Sequence, residues 1–163
     1  MQKITSCLWF DDKAETAVNF YVSVFKSARI GNVARYGKEG SAATGRPEGS
    51  AMTVAFQLDG QDFVALNGGP HFKINEAVSF VVNCESQQEV DYYWDKLSAG
   101  GDPSAQRCGW LKDQFGVSWQ VVPTLLPKLL SGSDAQKSAR VMQTLMQMSK
   151  LDIAALQRAH DQD

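Results

Sequence analysis

The sequence predicts an α+β fold in which a strand–helix–strands unit occurs twice and is followed by helices. Three observations lead there. On either side of a Gly/Pro-rich stretch near residues 68–75, apolar residues pass from strand spacing to helical spacing and back in the same order. Each unit's helix opens at a capping signal. Beyond Pro123, strand formers give way to Leu- and Met-rich helical spacing. The repetition lies in the order of elements, not in residue identity, and the second copy is the shorter.

In the first unit "KITSCLWF" (3–10) is short and rich in strand formers, so it reads as a strand. Asp12 followed by Glu15 forms a capping-box signal, with Asp in the Ser/Thr place. Ala14, Ala17, Val18, Tyr21, Val22 and Phe25 then recur at helical spacing, which predicts an amphipathic helix over about 13–26. "ARIGNVARYG" predicts a strand. "SAMTVAFQLDGQDFVALNGG" predicts a hairpin turning at Asp59-Gly60, residues that accept the positive φ angles of a two-residue turn. Between them "KEGSAATGRPEGS" reads as a polar loop.

The second unit starts with the strand "EAVSFVVNC" (76–84). Ser86 with Glu89 is a capping box, and Val90, Tyr93, Trp94 and Leu97 mark a helix that ends at Gly100-Gly101. Residues 104–122 supply further short strands ending in "GVSWQVV". After Pro123, "TLLPKLLSG" reads as a short helix or turn. Ser133 with Gln136 opens a helix whose Val141, Met142, Leu145, Met146 and Met148 fall on one side. Ser149 with Asp152 opens a last one carrying Leu151, Ile153, Ala154 and Leu156. A Met/Leu stripe of this kind packs on its own domain or serves as an adaptable subunit contact.

Composition narrows the function. A formal charge of −2 and the lack of any Lys/Arg run speak against nucleic-acid binding. Apolar runs stop well short of the roughly 20 residues a membrane span needs. The opening "MQKITSCLWF" has none of the regions of a signal peptide, so a cytoplasmic location and no membrane partner are expected. Cys7, Cys84 and Cys108 show no C-x-x-C spacing and are expected to be free thiols.

Three motifs carry a resemblance: "LWFDDKAETAVNFYVSVF", "FVALNGGPHFKINEAVSFVVNC" and "CGWLKDQFGVSWQVVP". In this order, over residues 3–124, they resemble the PhnB-like branch of the glyoxalase/bleomycin-resistance (vicinal oxygen chelate) superfamily. Many members of that branch bear the label 3-demethylubiquinone-9 3-methyltransferase. The resemblance implies paired βαβββ modules, about 1–70 and 75–124, forming a curved mixed sheet around a cavity. It also implies a homodimer, and it leaves 125–163 as a helical extension.

Enzymes of that superfamily typically clamp a divalent metal with His or Glu from four strands, and the metal stabilises an enolate or oxyanion. Carried onto this chain, the four positions fall near Thr5 or Cys7, at Asn67, near Ala77 or Ser79, and at Gln120. None is His or Glu, so no metal and no other cofactor is expected. His71, in "NGGPHFKIN", is read as a surface contact or as a pocket group toward an anionic ligand. The Gly-Gly pairs at 68–69 and 100–101 do not fit G-x-G-x-x-G, which leaves no seat for S-adenosylmethionine and makes the methyltransferase label an inherited one.

Strand alternation puts Ser118, Gln120 and Val122 on one face and Val117, Trp119 and Val121 on the other, and it groups Thr5, Cys7 and Trp9. The expected pocket is therefore Cys7, Trp9, Asn67, His71, Phe72, Trp110, Ser118 and Gln120, with Trp94 and Trp119 in the core and no catalytic residue assigned. The function expected is metal-free binding of an unidentified small molecule. The alternative is a lyase, isomerase or dioxygenase-type enzyme of the same superfamily with an atypical site.

Overall fold

A computed structural model describes residues 2–162. The chain divides into two compact units, one ending at Ile74 and the other starting at Asn75. Among the described residues no helix is long and apolar enough to cross a membrane.

The first unit contains strand β1 (Ser6–Phe10), helix α1 (Ala14–Val24), strand β2 (Ala28–Arg35), helix α2 (Lys38–Thr44), and strands β3 (Ala51–Leu58) and β4 (Gln61–Asn67). Its sheet runs β1-β4-β3-β2, with β1 parallel to β4 and the other pairs antiparallel. Alternation decides which side each residue serves. Leu8 and Phe10 of β1, Val54, Phe56 and Leu58 of β3, and Phe63 and Ala65 of β4 are buried. They form a core with Ala14, Ala17, Val18, Tyr21 and Val24 of α1. Tyr21 stacks on Phe56 at 6.2 Å between ring centroids and Phe56 on Phe63 at 5.1 Å, spacings at which aromatic rings add to simple burial. The β3–β4 turn at Asp59-Gly60 has φ of 46° and 80°, the left-handed pair expected of it.

The start of α1 is not capped as the sequence suggests. Lys13 occupies the cap position without a side-chain bond, and the expected Asp12–Glu15 box does not form. The Ala14 N–H instead donates to Asn67 Oδ1, 2.8 Å away at the end of β4. Asn67 Nδ2 donates to Ala51 O at 3.0 Å, and the Tyr36 hydroxyl donates to Asn67 O at 2.6 Å. One residue thus ties α1, β3 and the segment after β2 together, the first two through its side-chain amide and the last through its backbone carbonyl. The helix starts directly over the sheet, so a strand-borne amide reaches its first free N–H where Asp12 does not. The stretch 38–50, expected to be a loop, begins with α2, which ends at Gly45 in the left-handed region (φ 71°).

The second unit contains strand β5 (Ser79–Cys84), helix α3 (Gln87–Ser98), a 3₁₀ turn at Pro103–Ala105, strands β6 (Trp110–Lys112) and β7 (Ser118–Pro123), and helices α4 (Leu126–Leu130), α5 (Ala135–Leu145) and α6 (Ile153–Asp161). Its sheet runs β5-β7-β6, with β5 parallel and β6 antiparallel to β7. Val82, Cys84, Leu111, Trp119 and Val121 are buried with Val90, Trp94 and Leu97 of α3. Ser86 Oγ accepts the Glu89 N–H at 3.3 Å, as expected, and Glu89 Oε2 reaches back to the Glu85 N–H at 2.8 Å. Gly101 lies so close to β6 that a Cβ there would sit 2.0 Å from Lys112 O, which only glycine allows.

Between β6 and β7 lies Asp113, 2% exposed. Its Oδ1 accepts the N–H groups of Phe115 (2.8 Å) and Val117 (3.0 Å), and its Oδ2 accepts Trp119 Nε1–H (2.9 Å). The carboxylate organises the turn and holds the indole of the strand that follows.

Helices α4–α6 share a cluster of Leu126, Leu129, Val141, Leu145, Leu151 and Leu156. The predicted Met/Leu stripe divides: Met142 and Met146 are 44% and 49% exposed, while Val141 and Leu145 are buried. The caps are aspartates rather than the expected serines. Asp134 Oδ1 accepts from Gln136 N and Lys137 N (2.9 and 3.1 Å), and Asp152 Oδ1 accepts from Ala155 N (2.8 Å). A carboxylate at a helix N-terminus gains from the dipole as well as the hydrogen bond. Gln87 of α3 binds this helical layer to the second sheet unit, donating to Leu151 O (3.0 Å) and accepting Ile153 N–H (2.9 Å).

Three stability outcomes follow from these contacts. Asn67→Ala strands the buried Ala14 N–H and is expected to cost about 1–3 kcal/mol in urea unfolding. Asp113→Ala should cost about 3 kcal/mol and alter the near-ultraviolet dichroism of Trp119, since it frees three donors at once. The Asp134 carboxyl is held below its ordinary range, first by the Lys137 backbone N–H. Its contribution is therefore present above the unfolded pKa of about 3.9 and lost as pH falls through the lower folded value. Thermal melts should show Asp134→Ala a few degrees less stable than the parent at neutral pH, with the gap closing in acid.

Candidate functional site

Each sheet has a second face, turned away from α1 or α3, and the polar and aromatic residues singled out in the sequence divide between the two units. On the first sheet Cys7 lies beside Val64, which in turn pairs with Ala55, and Trp9 lies beside Leu66, which pairs with Thr53. Trp9 is fixed on three sides. Its Nε1–H donates to Gly69 O at 2.9 Å. Its ring meets Phe72 edge-on at 4.9 Å. It also lies so close over Gly68 that a Cβ there would stand 2.2 Å from the indole. The Gly-Gly pair after β4 is therefore a seat for a tryptophan. Phe72 remains 65% exposed, and His71 is exposed in the same turn. Arg46 reaches this turn as well, pairing with Asp11 while its guanidinium lies against Gly69.

Asn67 is not on this face. It shares the parity of Phe63 and Ala65, is 7% exposed, and spends its amide on α1 and β3. Strand alternation put it one residue out of step with a group that would join Cys7 and Trp9.

On the second sheet the pairings Val81↔Gln120, Trp110↔Gln120, Ser79↔Ser118 and Lys112↔Ser118 gather Ser79, Val81, Trp110, Lys112, Ser118 and Gln120 on the face away from α3. Trp94 and Trp119 are buried on the other side, as expected. Gln120 Nε2 donates to Ser79 Oγ at 2.9 Å. Lys112 pairs with Glu76, whose carboxyl is held below its usual range first by that hydrogen bond. Two of the four positions that the family pattern assigns to metal ligands thus come together, and they are an amide and a hydroxyl bonded to each other.

This donor set does not fit a divalent clamp. Neutral amide and hydroxyl oxygens offer little to a transition ion, and neither carries the negative charge that offsets its desolvation. Among the described residues no group of three or more His, Cys, Asp or Glu side chains lies close enough to hold a metal ion.

The cysteines are free thiols. Burial, aided by the Glu89 charge, pushes Cys84 up to about 12, and partial desolvation raises Cys7. Both thiols are thereby poorer nucleophiles than an ordinary cysteine at neutral pH.

Asp113 and the Trp9 seat were missed in reading the sequence. Both left a signal: Asp113 in an Asp-x-x-Gly turn between strand formers, and Gly68-Gly69 as paired glycines with no helix after them.

A family model described as 3-demethylubiquinone-9 3-methyltransferase matches residues 2–122. The PhnB protein from Bacillus cereus is 35% identical, with a TM-score of 0.64 over 76% of this chain and 100% of its own. A protein from Pseudomonas aeruginosa has a TM-score of 0.58 at 19% identity, over 76% of this chain and 98% of its own. The genomically encoded fosfomycin resistance protein FosX from Listeria monocytogenes has a TM-score of 0.52 at 14% identity, over 80% and 98%. The last two show a common fold and no more. Among curated proteins none matches the chain. With the order of elements, the two mixed sheets and the matched residues in agreement, the chain belongs to the 3-demethylubiquinone-9 3-methyltransferase family, the PhnB-like branch of the glyoxalase/vicinal oxygen chelate superfamily.

Proposed function

We propose that this chain binds a small molecule and does so without a divalent metal, in the manner of the bleomycin-resistance type rather than that of a methyltransferase. The observation that carries the reading is the Gln120–Ser79 hydrogen bond. At the strand positions from which relatives would direct charged ligands, this chain places an uncharged pair that satisfies itself. Such a surface offers hydrogen bonds and aromatic contact to a guest, with Trp110 directly beside Gln120. It offers no Lewis acid.

On the first unit the proposal assigns contacts to Cys7, Trp9, His71 and Phe72, with Asn67 as the brace behind that face. On the second, taken by itself, it assigns them to Trp110 and Gln120, with Ser118 buried beside them. Neither Gly-Gly pair leads into a helix whose N-terminus could receive the charged tail of S-adenosylmethionine. The chain after Gly69 is turn and irregular backbone until β5, and that after Gly101 enters only a three-residue 3₁₀ turn. Homodimer assembly belongs to the same proposal, because the superfamily commonly builds its sites in dimers.

The test has two arms on the full chain. Elemental analysis of protein purified without chelator should find divalent metal far below one ion per chain; a stoichiometric ion released by Gln120→Ala would overturn the metal-free reading in favour of a lyase, isomerase or dioxygenase-type enzyme. Thermal-shift screening against metabolites and aromatic antibiotics should give hits that raise the melting midpoint and change tryptophan emission, and Trp110→Ala should abolish both effects. A broad panel without a single hit would count against binding.

A further inference from the structure

Two sulfurs that the proposed function does not use lie together where the second sheet meets α5, and a third stands one turn away on that helix. Cys108 Sγ lies 3.9 Å from Met146 Sδ. Met142 stands one helical turn before Met146, which closes that turn by donating its N–H to Met142 O at 3.0 Å. Residues four apart share a helix face, so both thioethers project from one side of α5. That side is open, with Met142 44% and Met146 49% exposed, although apolar side chains of their size are normally covered. The Cys108 backbone is held in place against the same segment: its N–H donates to Met148 O, and that of Gly109 to Ser149 O, each at 2.8 Å. The fold thus holds the backbone that carries the thiol beside the segment that carries the thioether.

We propose that Cys108, Met146 and Met142 form a site for a soft monovalent d¹⁰ cation, copper(I) in particular. Thiolate and thioether sulfurs are the ligands that select copper(I) over the harder divalent ions. The spacing agrees: metal–sulfur bonds of about 2.3 Å meeting at about 120° place two sulfurs about 4 Å apart. In binding, the Cys108 S–H bond breaks, sulfur keeps the electron pair and forms the S–Cu bond, and one proton leaves to solvent. The thiolate and the cation cancel in charge, so the site needs no carboxylate. It is independent of the metal-free reading of Gln120 and Ser79, which concerns divalent ions on the sheet face.

The test is an anaerobic titration of the full chain with copper(I) in competition with bicinchoninate. One ion per chain should be held against the chelator, with one proton released per ion and with zinc(II) failing to compete. Cys108→Ser should release the copper completely. Met146→Leu, which conserves volume, and Met142→Leu should each weaken binding by about tenfold or more, since even outer-shell losses at metal sites cost that much. Unaltered melting midpoints of the metal-free Leu variants would show that they fold. Removal of all copper by bicinchoninate would overturn the proposal. So would copper retained in Cys108→Ser, or copper held by Met146→Leu as tightly as by the parent, which marks a thiol adduct without thioether ligation.

Discussion

Side chains alternate along a strand, and everything else in this protein is arranged around that fact. Each unit lays one helix across its sheet, and the strand residues of one parity are sealed beneath it: Leu8, Phe10, Phe63 and Ala65 in the first, Val82, Cys84, Trp119 and Val121 in the second. The residues of the other parity are then left outside the core beneath the helix. Cys7, Trp9, Ser79, Trp110 and Gln120 occupy that second face for one physical reason, that the hydrophobic set has committed the opposite one.

Two polar residues on the sealed side keep this arrangement rigid. Asn67 joins the start of α1 to the sheet, and Asp113 closes the turn that delivers β7. Both are buried, and both spend their oxygen atoms on N–H groups that would otherwise be stranded. Neither meets the requirement for a ligand-binding group, and each fixes the strand on which such groups stand. The Trp9 seat works alike on the first sheet: paired glycines remove the side-chain bulk that would push the indole away, and a carbonyl receives its N–H.

The second sheet face pairs an amide with a hydroxyl. A clamp for a dication must bring several anionic or imidazole ligands to one point and hold them there unpaired. Gln120 and Ser79 bring a donor and an acceptor to one point and satisfy each other. The C-terminal helices, outside the matched family region, bring sulfur instead, where Met146 meets Cys108 of the sheet unit.

The order of elements was legible in the sequence because periodicity and turn chemistry are local: the Asp59-Gly60 hairpin, the Ser86–Glu89 box and the stripe of α1 depend only on residues a few positions apart. The grouping of Trp110 with Gln120 could be read in the same way, from strand parity. Where a donor had several acceptors within reach, only the tertiary structure decided. Asp12 lost the α1 cap to Asn67, which is 53 residues from Ala14 along the chain. Ser133 lost the α5 cap to its charged neighbour Asp134. The Met stripe split because which side of α5 meets Leu151 and Leu156 depends on how three helices pack. Local sequence determines what a segment can form; which of its groups remain available for a guest is decided by contacts made across the fold.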